Sequence, residues 1–286
     1  MTTAAPPPEG PTGSHRAVAT RYRPRTTSSM TAGDRVRFAL SGLGQTLITC
    51  GLIVLLFVVY EVWVTNIFAD AKQHSVRTKL IESWQDAPTT GSSDQATVPA
   101  LPLPGGAQST TPIGSGLAVL YIPRFGKDYS RAIVQGTNDA SLEKGPGHYV
   151  GTQLPGEVGN FAVAGHRVGK GEPFLNLDQF KPGDPLVVET KDSWFIYKVK
   201  GDTATGDLST AGVDGVPGRQ IVNPSDGQVI LPVPNHPGQK ATEALMTLTT
   251  CHPKFTATQR MIIFSALSRT VARHGDTLPT ELGGTL

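Results

Sequence analysis

The sequence Thr247-Leu248-Thr249-Thr250-Cys251, followed nine residues later by Arg260 and the run Met261-Ile262-Ile263-Phe264, predicts two neighbouring strands joined by a short turn. Thr and Leu alternate before the cysteine, which is typical of a half-buried strand. The next dipeptide, His252-Pro253, ends this strand, because proline has no N–H to donate to a neighbour. We therefore expect the Cys251 thiol at a strand end, with Arg260 opening the returning strand and facing the same cleft.

Short apolar or alternating runs recur throughout residues 117–270, and proline and glycine separate them. The runs are 117–122, 132–134, 161–164, 186–189, 194–200, 229–231, 244–250 and 260–267. About eight short strands in one stretch predict an all-β fold that forms a closed or nearly closed barrel. Helical patterns are sparse in this stretch, and the glycine-rich segment 201–227 predicts a long loop.

An apolar segment without charges, residues 38–60, predicts one membrane-spanning helix near the N-terminus. A helix of that length spans roughly 34 Å, which exceeds the hydrocarbon core of a bilayer at about 30 Å. A cleavable signal peptide has a shorter apolar core and a small-residue cleavage site, and Tyr60-Glu61-Val62-Trp63 offers none. Six arginines against two acidic residues precede the span. We therefore expect a cytoplasmic N-terminus and a domain outside the cell membrane.

The segments around the predicted barrel have a different composition. Residues 1–37 are rich in Pro, Thr, Ser and Arg and predict a disordered cytoplasmic tail. Residues 61–116 combine a juxtamembrane helix with a Pro/Gly/Ser/Thr linker, and residues 271–286 form a C-terminal tail. A net charge of +2 gives no reason to expect nucleic acid as a partner. His and Cys lack the paired spacing of a metal site, so we expect no metal and no other cofactor.

Two observations make Cys251 a candidate nucleophile. The other cysteine, Cys50, lies in the predicted span, so the exported domain has one cysteine without a disulfide partner. His166 follows a predicted strand, and its imidazole could take the thiol proton and later return it to a leaving amine. His148 and His236, on predicted loops, remain alternative partners for the thiol.

The guanidinium of Arg260 could supply hydrogen-bond donors and positive charge where an oxyanion develops during attack on an amide. Both groups also have a structural interpretation. Arg260 could be a solvated charge at a strand end, and Cys251 a small buried apolar residue.

Together these residues resemble the catalytic set of the sortase family, which are cysteine transpeptidases. The matching stretches are Thr247–Cys251, Arg260 and Gly159–His166, and the runs Gly145–Tyr149 and Leu154–Gly156 are similar to class E sortases of Gram-positive actinobacteria. The resemblance covers about residues 117–270.

This resemblance implies an eight-stranded sortase barrel and a sorting signal of the LPxTG type, or LAxTG in class E, cleaved between Thr and Gly. Cys251 would form the thioacyl enzyme, His166 would act as acid and base, and Arg260 would stabilise the oxyanion or position the substrate. Thr250 and Tyr121 would help to bind the substrate. The partners would be surface proteins that carry a sorting signal, and an acceptor amine on lipid II or peptidoglycan. The calcium site of some sortases is not implied.

Two other kinds of protein share part of the pattern. Another exported cysteine hydrolase or transpeptidase would also pair Cys with His. Residues 249–253 lack the glycine and the arginine of the L,D-transpeptidase motif, however, and papain-like hydrolases place cysteine before histidine. A non-catalytic, membrane-anchored β-barrel module would bury Cys251 as an inert thiol. Alkylation separates these alternatives, because a buried structural cysteine resists it.

Overall fold

The computed structural model describes residues 31–60, 65–86, 109–275 and 277–285. Most of the predicted cytoplasmic tail and of the predicted linker lies outside these residues. The helices are α1 (Ala32–Val59), α2 (Thr65–Asp86) and α3 (Asp139–Leu142). The strands are β1 (Gly116–Tyr121), β2 (Ser130–Gln135), β3 (Gly147–His148), β4 (Gly159–Ala164), β5 (Pro185–Glu189), β6 (Ser193–Val199), β7 (Arg219–Val222), β8 (Ala244–His252) and β9 (Gln259–Ala272).

Eight of these strands form a closed barrel, which confirms the predicted fold class. Their hydrogen-bonded order is β6-β5-β1-β2-β3-β4-β8-β9, and antiparallel pairing of β6 with β9 closes the ring. Strand β7 lies outside the ring and pairs with the first part of β9. Strands β4 and β8 are parallel neighbours. Their C-terminal ends therefore meet at the same rim of the barrel.

Alternation along the strands separates an apolar interior from an outer face. The interior residues that matter for the site are fully or almost fully buried: Phe161, Val163, Met246, Leu248, Met261 and Ile263. The intervening residues Ile262 and Phe264 of β9 lie on the outer face, where Val216, Val229 and Val233 cover them. The long segment between β6 and β8 therefore forms a second layer over this part of the sheet.

Helix α2 packs against β1 and β2. Ala69 and Leu80 are buried there. The side chain of Gln73 accepts from the Ala132 N–H at 2.7 Å and donates to the Ala132 carbonyl at 3.0 Å. Helix α2 and the barrel therefore form one compact unit, which extends N-terminal to residue 117.

Helix α1 has the length and the composition of a membrane span. It contains 28 residues, and an 18-residue window within it has a mean hydropathy of 2.2. None of its side chains is buried. The predicted span 38–60 falls almost entirely within this helix.

The strand predictions were wrong at three places. Residues 229–231 were predicted as a strand, but Gly227–Ile230 forms a 3-10 turn. Its apolar side chains pack onto the outer face of β9 and do not form a pleated strand. Strand β3 was missed because two residues are too short to show a pattern, and β7 was missed because its residues are only partly buried.

Candidate active site

Cys251 and Arg260 are directly opposite each other on the antiparallel strands β8 and β9. Residues paired in this way point to the same face, with β-carbons about 4.5–5.5 Å apart. Because Met246 and Leu248 point into the barrel, alternation places Cys251 on the outer face. Both Cys251 and Arg260 are half-buried, so the thiol and the guanidinium border the solvent side by side.

The parallel pairing of β4 with β8 brings His166 to the same place. Strand β4 ends at Ala164, which pairs with Thr249. The Gly165 N–H then donates to the Thr249 carbonyl at 3.0 Å, so the pairing continues beyond the strand. His166 and Cys251 each lie two residues past the last pair. Since adjacent strands are about 4.7–4.9 Å apart, this register makes the two residues neighbours at the rim.

Gly165 is required at the exit from β4. A β-carbon at this position would lie 2.5 Å from the ring of Phe174, which is buried. The Phe174 N–H donates to the His166 carbonyl at 3.0 Å. The tight approach of Phe174 therefore fixes the backbone from which the imidazole projects.

The surroundings of His166 favour a neutral imidazole. Burial lowers the pKa of His166 below its ordinary value, and the positive charge of Lys170 lowers it further, while Asp139 and Glu143 act in the opposite direction. The Nε2 atom is buried and has no hydrogen-bond partner among the residues described here. A neutral ring with an uncommitted nitrogen can accept a proton from a neighbouring thiol.

The guanidinium of Arg260 lies over its own turn. Its Nη1 atom donates to the carbonyls of Ala257 and Gln259 at 3.0 and 2.9 Å. Beside it on the outer face is a cleft of about 150 Å³. The cleft is lined by Arg260, Thr249 and Ile262 from β8 and β9, by Tyr149, by Val222 at the end of β7, and by residues of the segment that follows β7: Pro224, Ser225, Asp226, Gly227, Val229 and Ile230.

The side chains of the two residues expected to contact the substrate form hydrogen bonds within the fold. Thr250 is buried, and its hydroxyl donates to the Gly165 carbonyl at 2.7 Å. The Tyr121 hydroxyl donates to Glu189 at 2.7 Å, and its ring lies 5.9 Å from the Trp194 ring between centroids. Neither side chain lines the cleft beside Arg260, and the lining does not include Cys251 or His166 either. A role for Thr250 and Tyr121 in substrate binding therefore stays a prediction.

The alternative histidines have other surroundings. His148 is buried on β3, where Nδ1 lies 2.8 Å from Gln135 Oε1 and Nε2 lies 3.0 Å from the Gln153 carbonyl. His236 belongs to the segment between β7 and β8, and its ring lies against Gly215. The register that brings His166 to Cys251 includes neither of them.

Two residues at this site were missed by the sequence analysis. Arg167 is buried, and its Nη1 atom lies 2.7 Å from Nδ1 of His252. Tyr149 lines the cleft, and its hydroxyl lies 2.9 Å from that of Thr249. For Arg167 the available signal was adjacency, since Arg167 follows His166 and His252 follows Cys251. For Tyr149 the signal was its place in the run Gly145–Tyr149, which is similar to class E sortases.

Known proteins share this architecture. Residues 120–268 match the family described as "Sortase domain". Sortase SrtE2 of Streptomyces coelicolor is 32% identical over 249 residues, which cover 85% of this chain and 87% of SrtE2. Sortase SrtE1 of the same organism is 33% identical over 236 residues, which cover 80% of this chain but only 57% of SrtE1.

Two solved structures superpose on the barrel. The SrtF sortase from Corynebacterium diphtheriae gives a TM-score of 0.55 at 40% identity and covers 65% of this chain and 100% of its own. The SrtA sortase from Actinomyces oris gives a TM-score of 0.52 at 30% identity, with coverages of 63% and 92%. The family match and the barrel agree with the resemblance seen in the sequence. The chain therefore belongs to the sortase family of cysteine transpeptidases, and it is a class E-like member of that family.

Proposed function

We propose that this protein is a membrane-anchored sortase that cleaves a sorting signal of the LPxTG or LAxTG type between Thr and Gly and joins the new carboxyl end to an amine of lipid II or peptidoglycan. The observation that supports it best is the pairing of Cys251 with Arg260 on one face, with His166 at the matching register of the next strand. These side chains provide a nucleophile, a proton carrier and a fixed cation.

In the first half-reaction, His166 takes the Cys251 thiol proton while the sulfur attacks the Thr carbonyl carbon of the substrate. The lowered pKa of His166 supports this role, because the base is neutral at the start. Arg260 then donates to the oxyanion through its Nη2 and Nε groups, while Nη1 keeps its hydrogen bonds to the carbonyls of Ala257 and Gln259. The Thr–Gly C–N bond breaks as His166 returns its proton to the Gly amine, and a thioester on Cys251 remains.

In the second half-reaction, the acceptor amine attacks the thioester carbonyl and gives a proton to His166. The C–S bond breaks, the new amide forms, and the Cys251 thiolate recovers the proton from His166. Neither half-reaction changes an oxidation state.

The cleft beside Arg260 offers both apolar and polar surface to a peptide. The aliphatic side chains of its walls are Val222, Val229, Ile230 and Ile262, and its polar side chains are Tyr149, Thr249, Ser225, Asp226 and Arg260. Apolar walls with a few polar groups are typical of specific ligand sites. We infer that the apolar residue of the sorting signal lies here, on the outer face that carries Cys251.

Helix α1 supports the proposed anchoring in the cell membrane. Its apolar length suits a single span, and the arginines that precede it favour a cytoplasmic N-terminus and an extracellular catalytic domain.

The direct test uses the full chain in detergent micelles with LPETG and LAETG peptides and triglycine as the acceptor. Mass spectrometry should detect triglycine joined to the Thr carboxyl, and hydroxylamine should convert the thioester into a hydroxamate. Cys251→Ala should abolish both products, while Cys50→Ala, at the other cysteine, should leave them unchanged. Failure of the folded enzyme to join either peptide to triglycine would contradict the proposed function.

A further inference from the structure

Strand β8 extends beyond its parallel neighbour. The pairing of β4 with β8 ends at Ala164 and Thr249. Beyond this pair, the Gly165 N–H donates to the Thr249 carbonyl and the Thr250 hydroxyl donates to the Gly165 carbonyl. The last residues of β8, Cys251 and His252, pair with a strand on one side only, through β9. A strand end with one neighbour opens more readily than the middle of a sheet. The strand pairing alone therefore holds the nucleophile weakly.

The guanidinium of Arg167 fills the missing side of β8. Its Nη1 atom lies 3.4 Å from the Cys251 carbonyl and 2.7 Å from Nδ1 of His252. Its Nη2 atom donates to Asp178 Oδ1 at 2.9 Å, and the residue is only 4% exposed. Because Arg167 directly follows His166, one side chain joins the loop of the acid/base residue to the strand end of the nucleophile.

We propose that Arg167 is a positioning residue for the transpeptidation reaction: its guanidinium holds the end of β8 against the His166 loop, and it does so only while His252 is neutral. This inference rests on the roles proposed above for Cys251 and His166. Arg167 acts through the Cys251 backbone and the neighbouring ring, not by contact with the thiol.

The dependence on His252 follows from the chemistry of the two groups. A guanidinium has only donors and stays charged, so the Nδ1 atom of His252 at 2.7 Å must accept. A protonated His252 would turn an N–H and a positive charge toward Arg167. The contact therefore has to open when His252 gains a proton.

The charges around His252 set the direction of this effect. Burial lowers the pKa of His252, Arg167 and Arg219 lower it further, and Asp178 opposes them. Lys254 adds a positive charge 4.0 Å from Asp178. The contact is therefore intact at neutral pH. Its contribution is complete above the ordinary histidine pKa and is lost as the pH falls through the lowered pKa of the folded protein.

Stability alone does not explain a charged side chain at this position. The Nε atom of Arg167 is buried and has no partner among the residues that the structure describes. Its ion-pair partner Asp178 is 43% exposed, so solvent weakens the pair. An apolar side chain of similar size often gives equal or greater stability at such a site. The donors of Arg167 are better explained by the geometry that they impose on the end of β8.

The first experiment measures steady-state kinetics of the full chain with the LPETG or LAETG peptide and triglycine. Arg167→Met keeps the length of the side chain and removes its donors. We expect kcat at pH 7.5 to fall about 10- to 100-fold, because a displacement of about 1 Å between reacting groups costs that much. KM should stay within about twofold, since Arg167 does not bind the substrate. Arg167→Lys should restore only part of the loss, because one ammonium cannot reach all three partners.

Arg124→Met is the matched control. Arg124 forms a two-pronged ion pair with Asp184 at 2.7 and 2.5 Å elsewhere on the barrel. Its loss should lower the melting temperature and leave kcat within about twofold. If Arg167→Met behaves in the same way, with lower stability and unchanged kcat, the positioning role is overturned.

A second variant tests the requirement for a neutral His252. His252→Asn places an amide oxygen near the position of Nδ1, and this acceptor does not titrate. We expect kcat close to wild type at pH 7.5. Activity should fall less steeply on acidification, because His166 can still gain a proton but residue 252 no longer can. An acidic limb identical to that of the wild type would overturn the dependence on His252.

A readout without peptide separates this inference from the proposed function. In a Cys50→Ala background, the rate of Cys251 alkylation by iodoacetamide is measured against pH for the wild type, Arg167→Met and His166→Ala. Arg167→Met should shift the profile toward that of His166→Ala. An unchanged profile would overturn the positioning role even if neither peptide is a substrate, whereas a shifted profile supports it whichever peptide is cleaved.

Discussion

His148 and His166 lie on adjacent antiparallel strands or just beyond them, yet their surroundings differ. For both residues, burial lowers the pKa of the imidazole. His148 is 1% exposed, and both of its ring nitrogens have hydrogen-bonding partners in Gln135, Thr152 and Gln153. His166 is half-buried, and its Nε2 atom has no partner among the described residues.

The difference shows that burial and a shifted pKa do not identify a catalytic histidine. A buried polar group normally has its hydrogen bonds satisfied, and such a group supports the fold. An uncommitted nitrogen at a strand end beside a thiol is costly for the fold and useful for chemistry. We therefore expect His166 to serve catalysis and His148 to serve stability.

The largest effect is expected for His166→Gln. It removes the proton carrier and should lower kcat by about 10²- to 10⁴-fold. The melting temperature should change little, because Nε2 makes no hydrogen bond with the described residues. The transfer assay and circular dichroism measure the two quantities. His236→Gln is the control. The Nε2 atom of His236 is also buried without a partner among the described residues, but His236 does not lie beside Cys251 in the strand register. Equal losses in the two variants would contradict the assignment.

A smaller loss is expected for Arg260→Lys. It keeps the charge but replaces a planar set of donors with a mobile ammonium. Losing one oxyanion donor costs about 10²- to 10³-fold in rate, and the loss should appear in kcat more than in KM. Arg219→Lys is a suitable control, because Arg219 lies on the neighbouring β7 and pairs with Ile263, three residues beyond Arg260. A raised KM with an unchanged kcat would instead show that Arg260 binds the ground-state peptide.

The sequence predicts the barrel well, because alternation and turn residues act locally. Strand β8 and the start of β9 follow from their own side chains, and so does the position of Cys251 at a strand end. The run 229–231 shows the limit of this approach. Its apolar residues pack across the sheet onto Ile262 and Phe264, and no local pattern distinguishes that contact from a strand.

The candidate site also has a part that the sequence predicts and a part that it does not. Residue type and spacing identified Cys251, His166 and Arg260 as candidates. The contact of Arg167 with His252 joins residues 85 positions apart, and it depends on the parallel pairing of β4 with β8. Spacing along one chain does not reveal such a pairing. The buried hydroxyl of Thr250 was unpredictable for the same reason, because its partner is Gly165 on the neighbouring segment.

His148→Leu should affect stability and not catalysis. It leaves the Gln135 amide and the Gln153 carbonyl without their partner, at about 1–3 kcal/mol for each buried polar group. Chemical denaturation should show this loss, while kcat of the folded enzyme stays within about twofold. The exposed His274 serves as a control, since His274→Leu should change the free energy of unfolding by less than about 0.5 kcal/mol. A loss of activity without a loss of stability would place His148 in the reaction.

The lowered pKa of His148 also predicts a pH dependence of stability. Its pKa is lowered by burial, so its contribution to stability is complete above the ordinary histidine pKa and is lost as the pH falls through the lowered value. The difference in unfolding free energy between the wild type and His148→Leu should therefore narrow on acidification. A difference that is constant between pH 7.5 and 5 would show that His148 does not titrate in this range.

The smallest effect is expected for Lys170→Gln, which changes the electrostatics of His166 without removing it. The positive charge of Lys170 lowers the pKa of His166, so its loss should raise that pKa. Lys170 also pairs with Glu143 at 3.4 Å, and freeing this carboxylate acts in the same direction. The base is then protonated at a higher pH, so the acidic limb of kcat/KM should move upward while the plateau at high pH stays close to wild type. Lys72→Gln removes the other partner of Glu143, at 3.3 Å, and leaves Lys170 in place. The acidic limb of kcat/KM should move less for Lys72→Gln than for Lys170→Gln. If both limbs move equally, the effect comes from Glu143 alone, and if neither moves, the acidic limb does not report the titration of His166.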